Sequence, residues 1–274
     1  MVSFESAQEV RYIEVVKAIL GQAIYRFFSV FLPAFGFELR KRPSHWLGTL
    51  DGLISKVLDG SADLVLDVGA NRGQTVNRVQ SMFGDAVEIH CFEPSTSAFE
   101  ELEKNAVGLN VWLNKIALSD SEGVATIEVP EGRDDLSSLV GINRDSSWSK
   151  NRGISLERIS TEETKTSTLD NYCKDFTRRI DFLKIDTQGL EPLILAGAKK
   201  LLRDKRRRPK VIQLEVNLGN SYGKATNISD IDGPLAREGY KMIYCSSAIN
   251  LWNLPSAQVD VLYVDQVILS QMPS

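Results

Sequence analysis

From Asp63 onward the chain repeats one pattern: a short apolar run, a turn, then a segment with apolar residues at helical spacing. The runs "DLVLDV" (63–68), "VEIHCFE" (87–93), "NVWLNKIAL" (110–118), "IDFLKID" (180–186) and "KVIQLEV" (210–216) read as strands. The segments "GQTVNRVQSMFG", "PSTSAFEELEKNAV", "GLEPLILAGAKKLLRDK" and "ISDIDGPLAREG" each predict a helix. Gly84 and Gly239 stop two of them, and Pro94 and Ser95 fall in the opening turn of another. Such alternation predicts parallel strands with right-handed crossovers and helices on both faces, an α/β doubly wound, Rossmann-like sheet. The last two runs, "YKMIYCS" and "VDVLYVD", have no long crossover helix between them. They are expected to pair antiparallel at one edge.

The rhythm breaks in two places. Residues 122–170 read as an insertion on the sheet. "EGVATIEVP" alternates like an antiparallel strand, "EGRDDLSSLVGINRDSSWSKNRG" is a polar loop, and "ISLERISTEETKTSTLDNY" reads as a further strand pair. A long polar loop in a compact domain is commonly a binding lid. The other break is residues 1–60, a helical segment ahead of a domain at 61–274. Within "IEVVKAILGQAIYRFFSVFLPAFGF" (13–37), Ile13, Val16, Leu20, Ile24, Phe27 and Phe31 recur at helical spacing. Lys17, Gln22 and Arg26 interrupt the stretch, Pro33 breaks its far end, and no small-residue cleavage site follows. That pattern predicts an amphipathic helix rather than a spanning one or a secretory signal. Two uses stay open: docking on the protein's own domain or on a second copy as a homodimer, or peripheral contact with a membrane interface.

At 274 residues, 43% hydrophobic and 25% charged, the chain has a globular composition suited to one large domain with or without an appendage. A net charge of −4 and a pI of about 5.4 argue against general nucleic-acid binding. Cys91, Cys173 and Cys245 are isolated and odd in number, so no disulfide framework or zinc site is indicated, and a cytoplasmic location is expected. His90 lies inside a predicted strand as a core residue. His45 sits beside Trp46 ahead of the domain, and no Ser-His-Asp spacing argues for a hydrolase. The basic run "RDKRRRPK" (203–210) complements a helix C-terminus, as a solvated end or as a contact for anionic lipid or glycan.

The stretch "DLVLDVGANRGQT" carries the chemistry. A dinucleotide fingerprint starting at Gly69 would place glycines where Asn71 and Gln74 stand. A phosphate-binding P-loop would place Gly and Lys where Gln74 and Thr75 stand. What remains, Asp67-x-Gly69-x-Asn71-x-Gly73, resembles the first motif of S-adenosylmethionine-dependent methyltransferases. Their cofactor has no pyrophosphate, so a central glycine is less needed. Asp67, Gly69, Ala70, Asn71, Gly73 and Thr75 then form the expected cofactor cradle. Amides at the helix start suit the cofactor's carboxylate, and Asp67 or its neighbouring carbonyls suit the ammonium. Glu93, about 20 residues further on and followed by Pro94, stands where a ribose-binding acid is expected. Ser119 and Asp120, in "ALSD", are expected near the adenine.

Four pieces, "DVGANRGQT", "FEPS", "NKIALSDSEG" and "FLKIDTQGLEPLILAGA", together resemble the FkbM family of methyltransferases across roughly residues 63–265. The resemblance implies the class I methyltransferase fold, seven strands with the last antiparallel. It also implies methyl transfer to oxygen, commonly a sugar hydroxyl in a polysaccharide, glycolipid or natural product. Many members carry Glu where this chain has Gln188, which removes that position as a base. The "DDLSSL" segment also looks like the family and brings Ser137 and Ser138 toward cofactor or acceptor. Methyl transfer to a hydroxyl wants a general base or a metal ion. Asp186, Glu215 and Asn217 fall at the ends of adjacent strands and are the expected catalytic set. Asp186 and Glu215 are also candidate ligands of a magnesium-like ion. Glu191, at a helix N-terminus, reads as structural. The expected acceptor is a glycan or a small molecule. Two alternatives stay open: a methyltransferase for a non-sugar small molecule, or a non-catalytic module in a glycan-assembly complex.

Overall fold

The computed structural model describes residues 49–130, 137–139, 141, 159–217, 227–246 and 258–272. The segment 13–37, His45, Trp46 and most of the polar loop beyond Pro130 lie outside the described residues. Leu50–Ser274 forms a compact unit. It opens with helix α1 (Leu50–Val57), whose Ile54 is fully buried. Ten strands follow among the described residues: β1 (Leu64–Val68), β2 (Glu88–Phe92), β3 (Val111–Asn114), β4 (Ala117–Leu118), β5 (Gly123–Pro130), β6 (Ile159–Ser167), β7 (Phe182–Ile185), β8 (Val211–Asn217), β9 (Tyr240–Cys245) and β10 (Gln258–Asp265). The helices between and after them are α2 (Gln74–Phe83), α3 (Thr96–Asn105), α4 (Leu169–Tyr172), α5 (Glu191–Ala196), α6 (Lys199–Arg203), α7 (Ile228–Arg237) and α8 (Gln266–Gln271).

Seven strands form the main sheet in the order β3-β2-β1-β7-β8-β10-β9. β10 runs antiparallel to both β8 and β9, while the pairs among β3, β2, β1, β7 and β8 are parallel. The order reverses between β1 and β7, so a crevice opens beyond their carboxyl ends. Apolar clusters cover both faces, as buried parallel strands require. On one face Leu64, Leu66, Leu183, Ile185 and Leu214 pack with α5, α6 and α7. On the other, Val65, Phe182 and Val211 pack with Val76 and Val79 of α2 and Ile54 of α1. Each such side chain contributes roughly 1.5–3 kcal/mol by burial.

The α2 face changes character along three neighbouring strands. Val65, Phe182 and Val211 are aligned and apolar. Two residues on, Asp67, Lys184 and Gln213 are aligned and polar, and all three are buried. Two residues further come Gly69, Asp186 and Glu215. The period-two alternation of strands therefore carries one row of residues out of the core and into the crevice.

Several elements differ in detail from the sequence expectation. "NVWLNKIAL" is two strands, because the chain leaves the main sheet after Asn114 and β4 pairs with β6 instead. The described part of "ISLERISTEETKTSTLDNY" is a single strand and the short α4; the strand's long antiparallel partner is β5. "GLEPLILAGAKKLLRDK" breaks into α5 and α6 at Gly197. A side-chain carbon there would lie 2.1 Å from the Ser119 carbonyl oxygen, so the helix packs on the strand only through a glycine. α6 then opens anew, with Asp170 accepting from the amides of Lys200 and Leu201. The basic run is not a uniformly solvated end. Arg208 is buried and bidentate on Asp265, and Arg207 donates to the carbonyls of Cys173 and Lys174. No helix among the described residues is long and apolar enough to cross a membrane.

Gly197→Ala should destabilise the domain by about 1–3 kcal/mol, because backbone atoms of Ser119 and Asp120 occupy the space and cannot swing aside. Urea unfolding of the two proteins measures the difference.

Candidate active site

Beyond the carboxyl end of β1 the chain turns through Gly69 (φ 82°), Asn71 (φ 48°) and Gly73 (φ 91°) before entering α2. Gly69 is obligatory for two reasons. Its φ is left-handed, and a side-chain carbon would lie 1.9 Å from the carbonyl oxygen of Asp186. Asn71 tolerates its left-handed φ by accepting from the Arg72 amide through Oδ1 at 2.8 Å. Most amides of the turn are satisfied within the protein. Those of Gly69 and Ala70 donate to the Phe92 carbonyl, and that of Gly73 donates to the Ala70 carbonyl. Among the described residues no acceptor takes the amides of Gln74 and Thr75, the first of α2, and both residues line the cavity described below. These are the helix-start amides that the sequence reading offers to the cofactor's carboxylate.

Glu93 ends the β2 crossing and is buried. Its Oε2 accepts from the Asn71 amide and its Oε1 from the Ser95 amide, each at 2.9 Å. The carboxylate therefore fixes the glycine turn and the start of α3 relative to each other, while still lining the cavity with Pro94. Asp67, fully buried below the turn, has no hydrogen-bond partner for either carboxylate oxygen among the described residues. Burial raises its pKa; the ammonium of Lys184, 3.5 Å away, opposes the rise and Asp186 reinforces it. Asp67 sits beneath the cavity rather than in its wall.

Lys184 is the central charge. Its Nζ lies 3.1 Å from Asp186 Oδ2 on one side and 3.5 Å from Asp67 on the other. Burial works against its charge, but Asp186 and Asp67 together outweigh that and hold its pKa above the ordinary lysine value. Gln188, at a φ of 57°, donates from one amide nitrogen to both Asp186 Oδ1 and Glu215 Oε1, each at 3.1 Å. Gln258 adds a second donation to Glu215 Oε1 at 3.0 Å. Burial, then the nearby Asp186 charge, push the Glu215 carboxyl up to about 7. Glu191 is wholly buried and accepts from Thr187 and Gly189, so it pins the turn after β7 and is not a site acid.

These groups surround a cavity of about 440 Å³ at the carboxyl ends of β1, β2, β7 and β8. Gly69, Ala70, Asn71, Thr75, Glu93, Pro94, Ser137, Asp186 and Glu215 line it. Gly73 lies behind the turn, against Leu102 of α3. Ser119 and Asp120 do not reach the cavity. β4 has joined the second sheet, and there Ser119 donates its amide to Ser167 while its carbonyl abuts Gly197. Ile116, Ala117 and Leu118 supply that wall instead. Ser138 is also displaced from the wall: its hydroxyl donates to the Gln188 carbonyl at 3.0 Å and braces that turn. Asn217 ends β8, and its side chain lies outside the described residues. Lys184, Gln258 and Arg78 line the cavity and were not anticipated. A lysine two residues before Asp186 in a buried strand was the available signal, since the two share a face.

The Methyltransferase FkbM domain profile matches residues 67–242. This chain belongs to the FkbM methyltransferase family. The FkbM domain is that of an S-adenosylmethionine-dependent methyltransferase, and the β1 turn with its open amides suits the cofactor's amino-acid end. The 2-O-methyltransferase NoeI of Sinorhizobium fredii (strain NBRC 101917 / NGR234) is 27% identical over 159 residues, 56% of this chain and 64% of that protein. The chain thus spans under two thirds of that relative's length. Among solved structures, Methyltransferase FkbM from Methylobacillus flagellatus KT aligns over 74% of this chain and 43% of its own, at 13% identity and a TM-score of 0.46. Magnesium protoporphyrin IX methyltransferase (ChlM) from Synechocystis PCC 6803, solved with bound SAM, aligns over 78% of this chain and 76% of its own, at 10% identity and a TM-score of 0.43.

The expected magnesium-like ion does not fit this FkbM site. Asp186 is already paired with the Lys184 ammonium, and the Gln188 amide occupies both carboxylates. No group of three or more metal-binding side chains exists among the described residues. A divalent ion there would have to share Asp186 with a buried ammonium and displace an amide donor.

The raised Glu215 pKa makes a stability prediction. Glu215 keeps its proton in the folded state up to about 7, whereas an ordinary glutamate gives it up near 4.5, so wild type loses stability as pH rises through this window. Glu215→Gln lacks that loss. It should match wild type near pH 4.5 and exceed it above pH 7 by on the order of 1–3 kcal/mol, read from denaturant midpoints across the pH range.

Proposed function

We propose that this domain methylates a sugar hydroxyl of a glycan, glycolipid or glycosylated natural product, with Asp186 as the general base. One observation carries the reading: Asp186 and the cofactor turn meet at a single point, since the Gly69 α-carbon rests against the Asp186 backbone. Bound S-adenosylmethionine supplies the methyl group as a sulfonium, an electrophile that needs no further activation. The protein's part is positioning and proton removal. The crevice holds the acceptor in line with the methyl, an arrangement for which effective molarities reach about 10⁵–10⁸ M. The attacking oxygen forms its bond to the methyl carbon while the carbon–sulfur electron pair returns to sulfur. Asp186 takes the hydroxyl proton in the same step, and Lys184 and Gln188 hold its two oxygens in place. The 2-O-methyltransferase named above supports transfer to oxygen, and the mixed polar and apolar cavity wall supports a sugar.

Titration calorimetry with S-adenosylhomocysteine tests the first half; binding is expected, and its absence removes the enzyme reading. Incubation with S-adenosylmethionine and a panel of methyl glycosides, following S-adenosylhomocysteine formation, tests the second. Asp186→Asn should lower turnover by about 10²–10⁴ while leaving cofactor binding intact. Equal rates for both proteins would remove Asp186 from the role. A chelator should leave the rate unchanged.

A further inference from the structure

The reading above leaves Glu215 without a task. It lies on β8, beside Asp186, and faces the same cavity. The two carboxylates are within two hydrogen-bond lengths of each other, because one Gln188 nitrogen serves both. Their surroundings differ. Asp186 has the Lys184 ammonium at 3.1 Å; Glu215 makes no ion pair among the described residues. Both amide donors on Glu215, from Gln188 and Gln258, land on Oε1. Oε2 accepts nothing among the described residues. A mostly buried carboxyl group with one oxygen held by two amides and the other left toward a cavity is a fixed polar contact for a ligand.

We propose that the acceptor is a vicinal diol: the hydroxyl beside Asp186 is methylated, and the oxygen on the adjacent carbon is held by Glu215 Oε2. The inference rests on the methyl-transfer reading and narrows its acceptor. Glu215 acts here as a protonated donor. The charges facing it are Asp186 and Lys184 from β7 and Asp260 from β10, and burial and Asp186 dominate the balance toward the neutral acid. Arg78 of α2 also lines the cavity but is committed to Asp51 and Gln213. Asp186, with the Lys184 ammonium at 3.1 Å, is the accepting partner, and Glu215, with no ion pair among the described residues, is the donating one. An acceptor with a lone hydroxyl would seal off Glu215 without a partner, and buried polar groups left unpaired are what give such sites their selectivity.

The test uses the full chain saturated with S-adenosylhomocysteine, and as probes trans-cyclohexane-1,2-diol and cyclohexane-1,4-diol, which carry the same two hydroxyls at different separations. Affinities are read by ligand-observed NMR titration. The 1,2-diol should bind at least tenfold more tightly. Glu215→Gln keeps a neutral donor and should retain that preference. Glu215→Leu should reduce it below threefold with S-adenosylhomocysteine affinity unchanged. Equal affinities in wild type, no binding by either diol, or a preference that survives in Glu215→Leu would overturn the proposal. Failure of S-adenosylhomocysteine itself to bind would instead remove the methyl-transfer reading and this inference with it.

Discussion

The site depends on one close approach. The α-carbon of Gly69 lies against the backbone carbonyl of Asp186, at the point where the sheet's strand order reverses. Any side chain at Gly69 would wedge β1 and β7 apart at their tips. Because the contact is made of backbone atoms, its geometry cannot relax through a rotamer change. Everything placed relative to β1, the glycine turn, α2 and its open amides, is therefore placed relative to Asp186 as well. Glu93 extends the same rigidity to β2 by gripping the turn from the other side.

Charge balance is the second constraint. Three carboxylates, Asp67, Asp186 and Glu215, crowd around one buried ammonium. Burying an ion pair rarely stabilises a fold, and a buried carboxylate such as Asp67, with an ammonium at 3.5 Å but no hydrogen bond among the described residues, costs more. A core built for stability alone would place apolar residues in this row, as the preceding row of Val65, Phe182 and Val211 does. The polar row marks the place where the fold gives up stability for chemistry. It also explains why a metal ion is a poor fit: Lys184 already supplies the positive charge that such an ion would bring.

Much of this was legible in the sequence. The apolar runs located the central strands β1, β7 and β8 because a strand buried on both faces cannot hide its composition. The glycine turn was legible because its φ values and its close contact admit few residues. The absence of phosphate-type glycines correctly turned the reading toward a sulfonium cofactor family. What escaped notice depended on tertiary placement. Ser119 and Asp120 follow a strand that changes sheets after Asn114, and no local signal announces that departure. The break at Gly197 reflects a carbonyl more than seventy residues away in the chain, so the helix pattern ran straight through it. Gln188 reads in the sequence only as a position without a base, whereas in the fold its amide joins the two carboxylates.

β10 is the latest strand in the sequence, but it does not lie at the sheet's margin: it is flanked by β8 on one side and β9 on the other. β9 is therefore made before the strand that attaches it to the sheet. Without residues 258–265, β8 presents an open ladder of backbone donors and acceptors on that side, and β9 has no strand to pair with. Gln258, which lines the cavity, arrives with the strand that closes the sheet. Closing the sheet and completing that wall of the cavity consequently depend on the same strand.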